Sequence, residues 1–132
     1  MNTLQKIIVA SLLLLVSAEA ASACSCSMPT IAEARGRARA VFIGEVVSRM
    51  SDRIVFRVVE RWKGVEARKV KVRIGRGCPV RYDVGDRYLV YAFSGRRNVP
   101  LAMSYCYRTQ PLEFATEDLK ALGPGELMNK AR

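Results

Sequence analysis

The sequence predicts a mainly β fold, a small five-stranded barrel of Greek-key type with a short flanking helix at each end. Three observations predict it. After residue 40 the pattern changes from helical to strand-like in five separate segments, of which residues 86–93 are almost wholly apolar and residues 69–74 alternate with a period of two. The four cysteines of a chain that opens with an export signal indicate disulfides. The chain that follows the signal is long enough for one small domain.

Residues 1–23 predict a cleavable signal peptide. Lys6 supplies the positive charge, residues 7–16 form the apolar core, and Ala21 and Ala23 are small residues at the positions that signal peptidase reads. The core is shorter than the roughly 20 residues of a membrane-spanning helix, so cleavage after Ala23 is favoured over a retained membrane anchor. We expect an exported protein, periplasmic or extracellular, with one domain over residues 24–132 and no transmembrane segment.

The flanking helices follow from capping signals. Thr30 and Glu33 stand at capping-box spacing and predict a helix within residues 29–40, broken near Gly36. A second short helix is predicted over residues 115–123, with Thr116 as its N-cap and Gly123 at its end.

The predicted strands cover residues 40–48, 54–62, 69–74, 86–93 and 99–108. Gly44, inside the first of them, suggests a bulge or a sharp bend. The second should place Ile54, Phe56, Val58 and Trp62 on one face. Five strands between two helices favour a barrel of the OB type, with a β-sandwich as the alternative.

A hairpin between the second and third strands would bring basic side chains to one surface. This surface could bind an anionic partner such as a polysaccharide, or simply face solvent. The net charge of +10 favours polyanionic partners in general, although export makes nucleic acid an unexpected one. The candidate anion-binding residues are Arg57, Arg61, Lys69, Lys71 and Arg73.

Enzymatic function has little support. The chain has no histidine, which excludes Ser-His-Asp and Cys-His catalysis, and a structural zinc site would need all four cysteines. Turns and helix capping explain the acidic residues that might otherwise suggest catalysis, namely Asp83, Asp86, Glu117 and Asp118. We therefore expect a non-enzymatic, monomeric binding protein without a cofactor.

The cysteines are expected to be structural. Cys24 and Cys26 cannot bridge each other without strain, so each should reach a distant partner, and the spacing leaves open which of them pairs with Cys78 and which with Cys106. A redox pair lacks an activating group. Acylation of Cys24 is a minority alternative, because residues 21–24 loosely resemble a lipobox.

Cleavage after Ala23 would make Cys24 the first residue of the mature chain. Its α-amine, with an ordinary pKa near 8, and its carbonyl oxygen could form a five-membered chelate with a metal ion. Held still by a disulfide, this group could bind a metal that belongs to another protein with little loss of freedom.

The mature sequence resembles the netrin-like module family, whose best-known members are the tissue inhibitors of metalloproteinases. The resemblance rests on the initial CSCS, the strands VFIGEVV and FRVVERWKG, and the later GC at 77–78 and YC at 105–106. It covers nearly all of the mature chain, and it implies an OB-type barrel.

The resemblance also implies the site. It pairs Cys24 with Cys78 and Cys26 with Cys106, and it assigns the Cys24 amine and carbonyl to the catalytic zinc of a metalloprotease. Ser25 would point toward the primed specificity pocket, and Arg76 and Gly77 would lie beside this ridge. Other members of the family bind heparin-like chains or other proteins instead.

Overall fold

The structure, a computed structural model, describes residues 2–15, 25–75, 78 and 80–128. These residues form a mixed α/β fold rather than the predicted mainly β one. The described residues contain three α-helices and seven strands. The predicted cleavage site, Cys24, Arg76 and Gly77 lie outside the described residues. The helices are α1 Thr3–Leu15, α2 Ile31–Arg37 and α3 Thr116–Leu122. The strands are β1 Ala40–Arg49, β2 Arg53–Lys63, β3 Lys69–Ile74, β4 Arg87–Arg96, β5 Val99–Met103, β6 Gln110–Pro111 and β7 Glu126–Leu127.

All seven strands belong to one sheet, whose hydrogen bonds run in a ring through five of them. The order is β1-β2-β3-β5-β4, and an additional pairing of β1 with β4 closes the ring. The β3–β5 pair is parallel and the other pairs are antiparallel. The two-residue strands β6 and β7 pair with β4 and β2.

Apolar side chains form one cluster within the ring and a second beneath the helices. Alternate residues of the strands, such as Phe42 and Phe56, fill the first cluster, and Tyr82 and Tyr88 join it from the loop before β4 and from β4. The intervening residues of β1 and β4 form the second, which α2 and α3 cover through Ala34, Ala38, Ala115 and Leu122. Both faces of β1 and β4 are therefore buried, as the continuous apolar run at residues 88–92 suggests.

Trp62 does not share a face with Ile54 and Phe56, so that prediction is wrong. Its ring packs in the second cluster, and its indole N–H donates to the Gly123 carbonyl at 2.9 Å. Two register shifts in the pairing of β1 with β2 are the cause. The shift between Ile43 and Gly44 leaves Val59 as an extra residue of β2 and reverses the alternation of the residues after it, and the shift between Val41 and Phe42 leaves Trp62 as a second extra residue. The first of these shifts confirms the irregularity predicted at Gly44.

The predicted fifth strand is correct only as far as Met103. Ser104 accepts a hydrogen bond from the Cys106 N–H and starts a 3-10 turn over Tyr105–Tyr107, which ends at Arg108 with a left-handed φ of 75°. The chain therefore turns back where the alternating pattern predicted a continuing strand.

The helices agree with their predictions except at one cap. Both hydrogen bonds of the Thr30–Glu33 capping box are present, and α2 ends one residue after Gly36. The N-cap of α3 is Ala115 rather than Thr116, and no side chain caps it. Within the described part of the chain, no helix has the length and apolar character needed to cross a membrane.

Candidate binding sites

The first candidate site is residues 25–30, immediately before α2. We call them the terminal segment because the predicted cleavage after Ala23 would place them near the start of the mature chain. Ser25, Cys26, Ser27 and Met28 are all exposed. A disulfide joins Cys26 to Cys106 across 80 residues of sequence, with Cα atoms 5.7 Å apart. This pairing is the one that the family resemblance implies, and it ties the segment to the turn over Tyr105–Tyr107.

Cys78 lies against this disulfide. Its Sγ is 4.0 Å from Cys26 Sγ and 3.9 Å from Cys106 Sγ. None of the cysteines that the structure describes is free, so the three sulfurs lack the thiolates that a metal site would need. The predicted Cys24–Cys78 bridge includes a residue outside the described ones and stays a prediction.

A second contact holds the terminal segment at Pro29. The Arg108 guanidinium donates from Nη1 to the Pro29 carbonyl at 3.2 Å, across 79 residues. Its Nε and Nη2 donate to both carboxylate oxygens of Asp118, at 2.9 and 2.6 Å. The Tyr91 hydroxyl donates to the same carboxylate at 2.8 Å.

Asp118 is therefore not the capping residue that the sequence suggested. It is 1% exposed and lies on the inner face of α3. The spacing of the sequence could have predicted this burial, because Ala115, Asp118 and Leu122 follow the i, i+3, i+7 pattern of the buried face of a helix. All three are buried.

The three groups shift one another's pKa values. Burial by itself raises the pKa of Asp118, but the hydrogen bonds from Arg108 and Tyr91 outweigh it and hold that pKa below the ordinary value. Burial, followed by the bond to Asp118, raises the pKa of Tyr91. The hydrogen bond to Asp118 raises the pKa of Arg108. Near neutral pH the site therefore holds a carboxylate, a guanidinium and a neutral phenol.

The second candidate site is a basic face on β2 and β3, which we define as Arg53, Arg57, Lys69, Lys71 and Arg73. Register places Arg57 directly opposite Lys69 and Arg53 directly opposite Arg73, with Lys71 opposite Val55. Four of the predicted anion-binding residues thus lie together, and the sequence analysis missed Arg53. Within the described chain, no carboxylate pairs with Lys69, Lys71 or Arg73.

Two acids partly neutralise the face. Glu45 Oε2 accepts from Arg57 at 2.9 Å and from Arg87 at 3.1 Å, and Asp52 lies 3.3 Å from Arg53. The pKa of Glu45 lies below its ordinary value, and the largest cause is the hydrogen bond that Arg87 donates to its carboxylate. Glu45 therefore stays ionised and neutralises the Arg57 edge of the face more than the β3 edge.

Arg61 lies apart from this face, contrary to prediction. Its Nε and Nη2 donate to Glu126 at 3.2 and 3.0 Å, and its Nη1 donates to the Val65 carbonyl. It stands beyond the end of the β2–β3 pairing, where β7 adds to β2. Its guanidinium is used within the fold rather than offered to a partner.

Comparison with known proteins adds no family. Neither the scan against protein-family models nor the search of curated proteins finds a match for this chain. A functional proposal therefore has to rest on the residues and their geometry.

Proposed function

We propose that the protein is an exported netrin-like binding module that inhibits a zinc metalloendopeptidase through the amine and carbonyl of Cys24. The ring of five strands and its β1-β2-β3-β5-β4 order support an OB-type barrel. In this proposal the barrel catalyses nothing. It is a rigid support for the exposed segment at the start of the mature chain.

The observation that carries the proposal is the Cys26–Cys106 disulfide beside an exposed Ser25. A bridge at the third position of the predicted mature chain removes most of the freedom of the residues before it. Little further ordering is then needed when Cys24 meets a metal ion, which favours tight binding.

Each residue of the proposed site has a separate role. The α-amine of Cys24, in its neutral form, and its carbonyl oxygen supply two ligands to a zinc ion held by the protease. Ser25 enters the adjacent specificity pocket. Arg76 and Gly77, which precede Cys78, lie beside Cys24 and Ser25 in the arrangement that the resemblance implies. The Cys78 sulfur is close to both sulfurs of the described bridge.

The proposal predicts that one alanine added before Cys24 abolishes inhibition. The extension converts the amine to an amide, which cannot chelate, so we expect inhibition to weaken by at least about 100-fold, or about 2.7 kcal/mol. Inhibition constants against a panel of zinc metalloendopeptidases test this, with one alanine added after Arg132 as the matched control.

The melting temperatures of both extended proteins should equal that of the parent. Equal inhibition by parent and N-terminally extended protein would exclude chelation. A parent that inhibits no member of the panel would contradict the inhibitor proposal as a whole. Mass and N-terminal sequencing of the exported protein establish where it is cleaved and whether Cys24 carries a lipid.

A second candidate function is polyanion binding at the basic face. The observation that favours it is the direct opposition of like charges in two cross-strand pairs, Arg57 with Lys69 and Arg53 with Arg73. Such pairs destabilise a sheet, so their presence suggests a use outside the fold. An anionic polysaccharide is the partner that suits an exported protein.

A further inference from the structure

We infer that Arg108 is a positioning residue, which fixes the terminal segment at Pro29 in the pose from which it meets its partner. The inference rests on the proposed function for the role of the segment. The geometry that carries it belongs to the described residues alone, and its test has a readout that does not involve a protease.

The terminal segment joins α2 at its last residue, Thr30, whose capping box with Glu33 holds that end. Residues 25–30 belong to no helix or strand. Proline has no backbone N–H, so the Pro29 carbonyl is the one backbone group through which that residue can be fixed by a hydrogen bond. Arg108 supplies that hydrogen bond. The disulfide at Cys26 and the guanidinium at Pro29 thus hold the residues before Thr30 at two points, three residues apart.

Both anchors come from the same short turn. Cys106 lies within the 3-10 turn over Tyr105–Tyr107, and Arg108 is the residue that ends it. The turn is itself held, because Ser104 caps it and the Arg108 backbone closes it with a hydrogen bond to the Tyr105 carbonyl. Cys26 and Pro29 therefore rest on one small platform, whereas Thr30 at the end of the segment is held by α2.

Asp118 sets the direction of the Arg108 side chain. Two of the three guanidinium nitrogens bind its two oxygens side by side, which fixes the plane of the group and leaves Nη1 aimed at Pro29. Asp118 is buried and Tyr91 bonds it in turn. A surface arginine without this support would sample many rotamers and hold nothing in place.

The test is the variant Arg108→Lys. A lysine retains the charge beside Asp118, but a single ammonium lacks the fork that serves a carboxylate and the Pro29 carbonyl together. We expect the backbone NMR order parameters of Ser27 and Met28 to fall from about 0.85 to below about 0.6, while those of β1 and β4 stay unchanged. Inhibition of a metalloprotease should weaken about tenfold.

Arg61→Lys is the matched control. Arg61 also binds a carboxylate through Nε and Nη2 and a carbonyl through Nη1, but it contacts Glu126 and Val65 rather than the terminal segment. Its replacement should leave the order parameters of Ser27 and Met28 at their original values.

The outcomes separate the inference from the proposed function. Unchanged order at Ser27 and Met28 in Arg108→Lys would overturn the inference, and so would a uniform fall across the strands. Order parameters below about 0.6 in the unsubstituted protein would also overturn it, whether or not the variant folds. A protein whose order responds as expected but which inhibits nothing would support the positioning role and contradict the inhibitor proposal.

Discussion

Asp118 illustrates what a single residue contributes here. Its position in the first turn of a short helix suggests a cap, yet its carboxylate is buried and receives hydrogen bonds from Arg108 and Tyr91. Removal of one partner from a buried pair leaves the other charge uncompensated, which typically costs about 3–5 kcal/mol. Asp118 therefore links the stability of the fold to the position of the terminal segment.

This pair gives the domain an acid-sensitive component of stability. The folded-state pKa of Asp118 is below its ordinary value, so the pair stabilises the fold above the unfolded pKa of about 3.9 and loses that contribution as pH falls through the lower, folded value. Asp118→Asn should lower the free energy of unfolding at neutral pH and make it less dependent on pH below about 4.

Urea unfolding between pH 2 and pH 7 measures both effects. The exposed Asp86→Asn is the control, and it should retain the parent's loss of stability in acid. An Asp118→Asn variant that loses stability in acid as steeply as the parent would show that the pair does not carry this dependence.

At the scale of elements, the sequence predicts where strands occur better than how they pair. The alternation of Lys69 to Ile74 predicts β3 to the residue, because one face of that strand is wet and the other is covered. The position of Trp62 was not predictable in this way, because the extra residue in β2 is defined by its pairing with β1. Strands β6 and β7 have two residues each and carry no periodic signal.

Gly44, which lies at the second irregularity of the β1–β2 pairing, gives a test of the packing there. A Cβ at this position would lie 2.7 Å from Cδ1 of Phe56 and 2.9 Å from Cε2 of Phe42, within the cluster enclosed by the ring. Gly44→Ala should therefore reduce the free energy of unfolding by about 1–3 kcal/mol through overpacking.

Gly36→Ala is the matched control and should have the opposite sign. Gly36 lies in α2 with no atom within 4 Å of its added Cβ, so alanine should stabilise by about 0.5–1 kcal/mol through its helix preference. Chemical denaturation of both variants measures these changes in the free energy of unfolding. A Gly44→Ala variant as stable as the parent would show that the aromatic rings can move aside.

At the scale of the whole molecule, which has a net charge of +10, some basic side chains bind partners within the fold and others do not. Arg61 and Arg108 are engaged within the fold, whereas Lys69, Lys71 and Arg73 have no acidic partner in the described chain. The sequence predicted the second group because polar residues at alternate positions of a strand are easily recognised. It did not predict Arg108, whose partners lie 10 and 79 residues away.

The second candidate function predicts that Lys69, Lys71 and Arg73, each changed to Glu, weaken retention on a heparin column. The slope of log affinity against log salt concentration should become shallower by about two to three, since the polyanion keeps about one more counterion for each basic contact that is lost. Arg96, Arg97 and Lys120 are exposed, and their combined change to Glu gives a control protein with the same net charge.

If both triple variants lose retention equally, the polyanion responds to net charge alone and the basic face has no special role. Retention of the parent that does not respond to salt would contradict electrostatic binding altogether.

The two anchors of the terminal segment also determine when that segment can reach its native position. A ribosome makes Cys26 and Pro29 before their partners, Cys106 and Arg108, which follow 80 and 79 residues later. These contacts are among the least local in the domain, and loop closure over such a span is slow to form. The part of the chain on which the proposed function depends is thus synthesised well before the turn that fixes it, and it reaches its native position only after the 80 residues to Cys106 have followed.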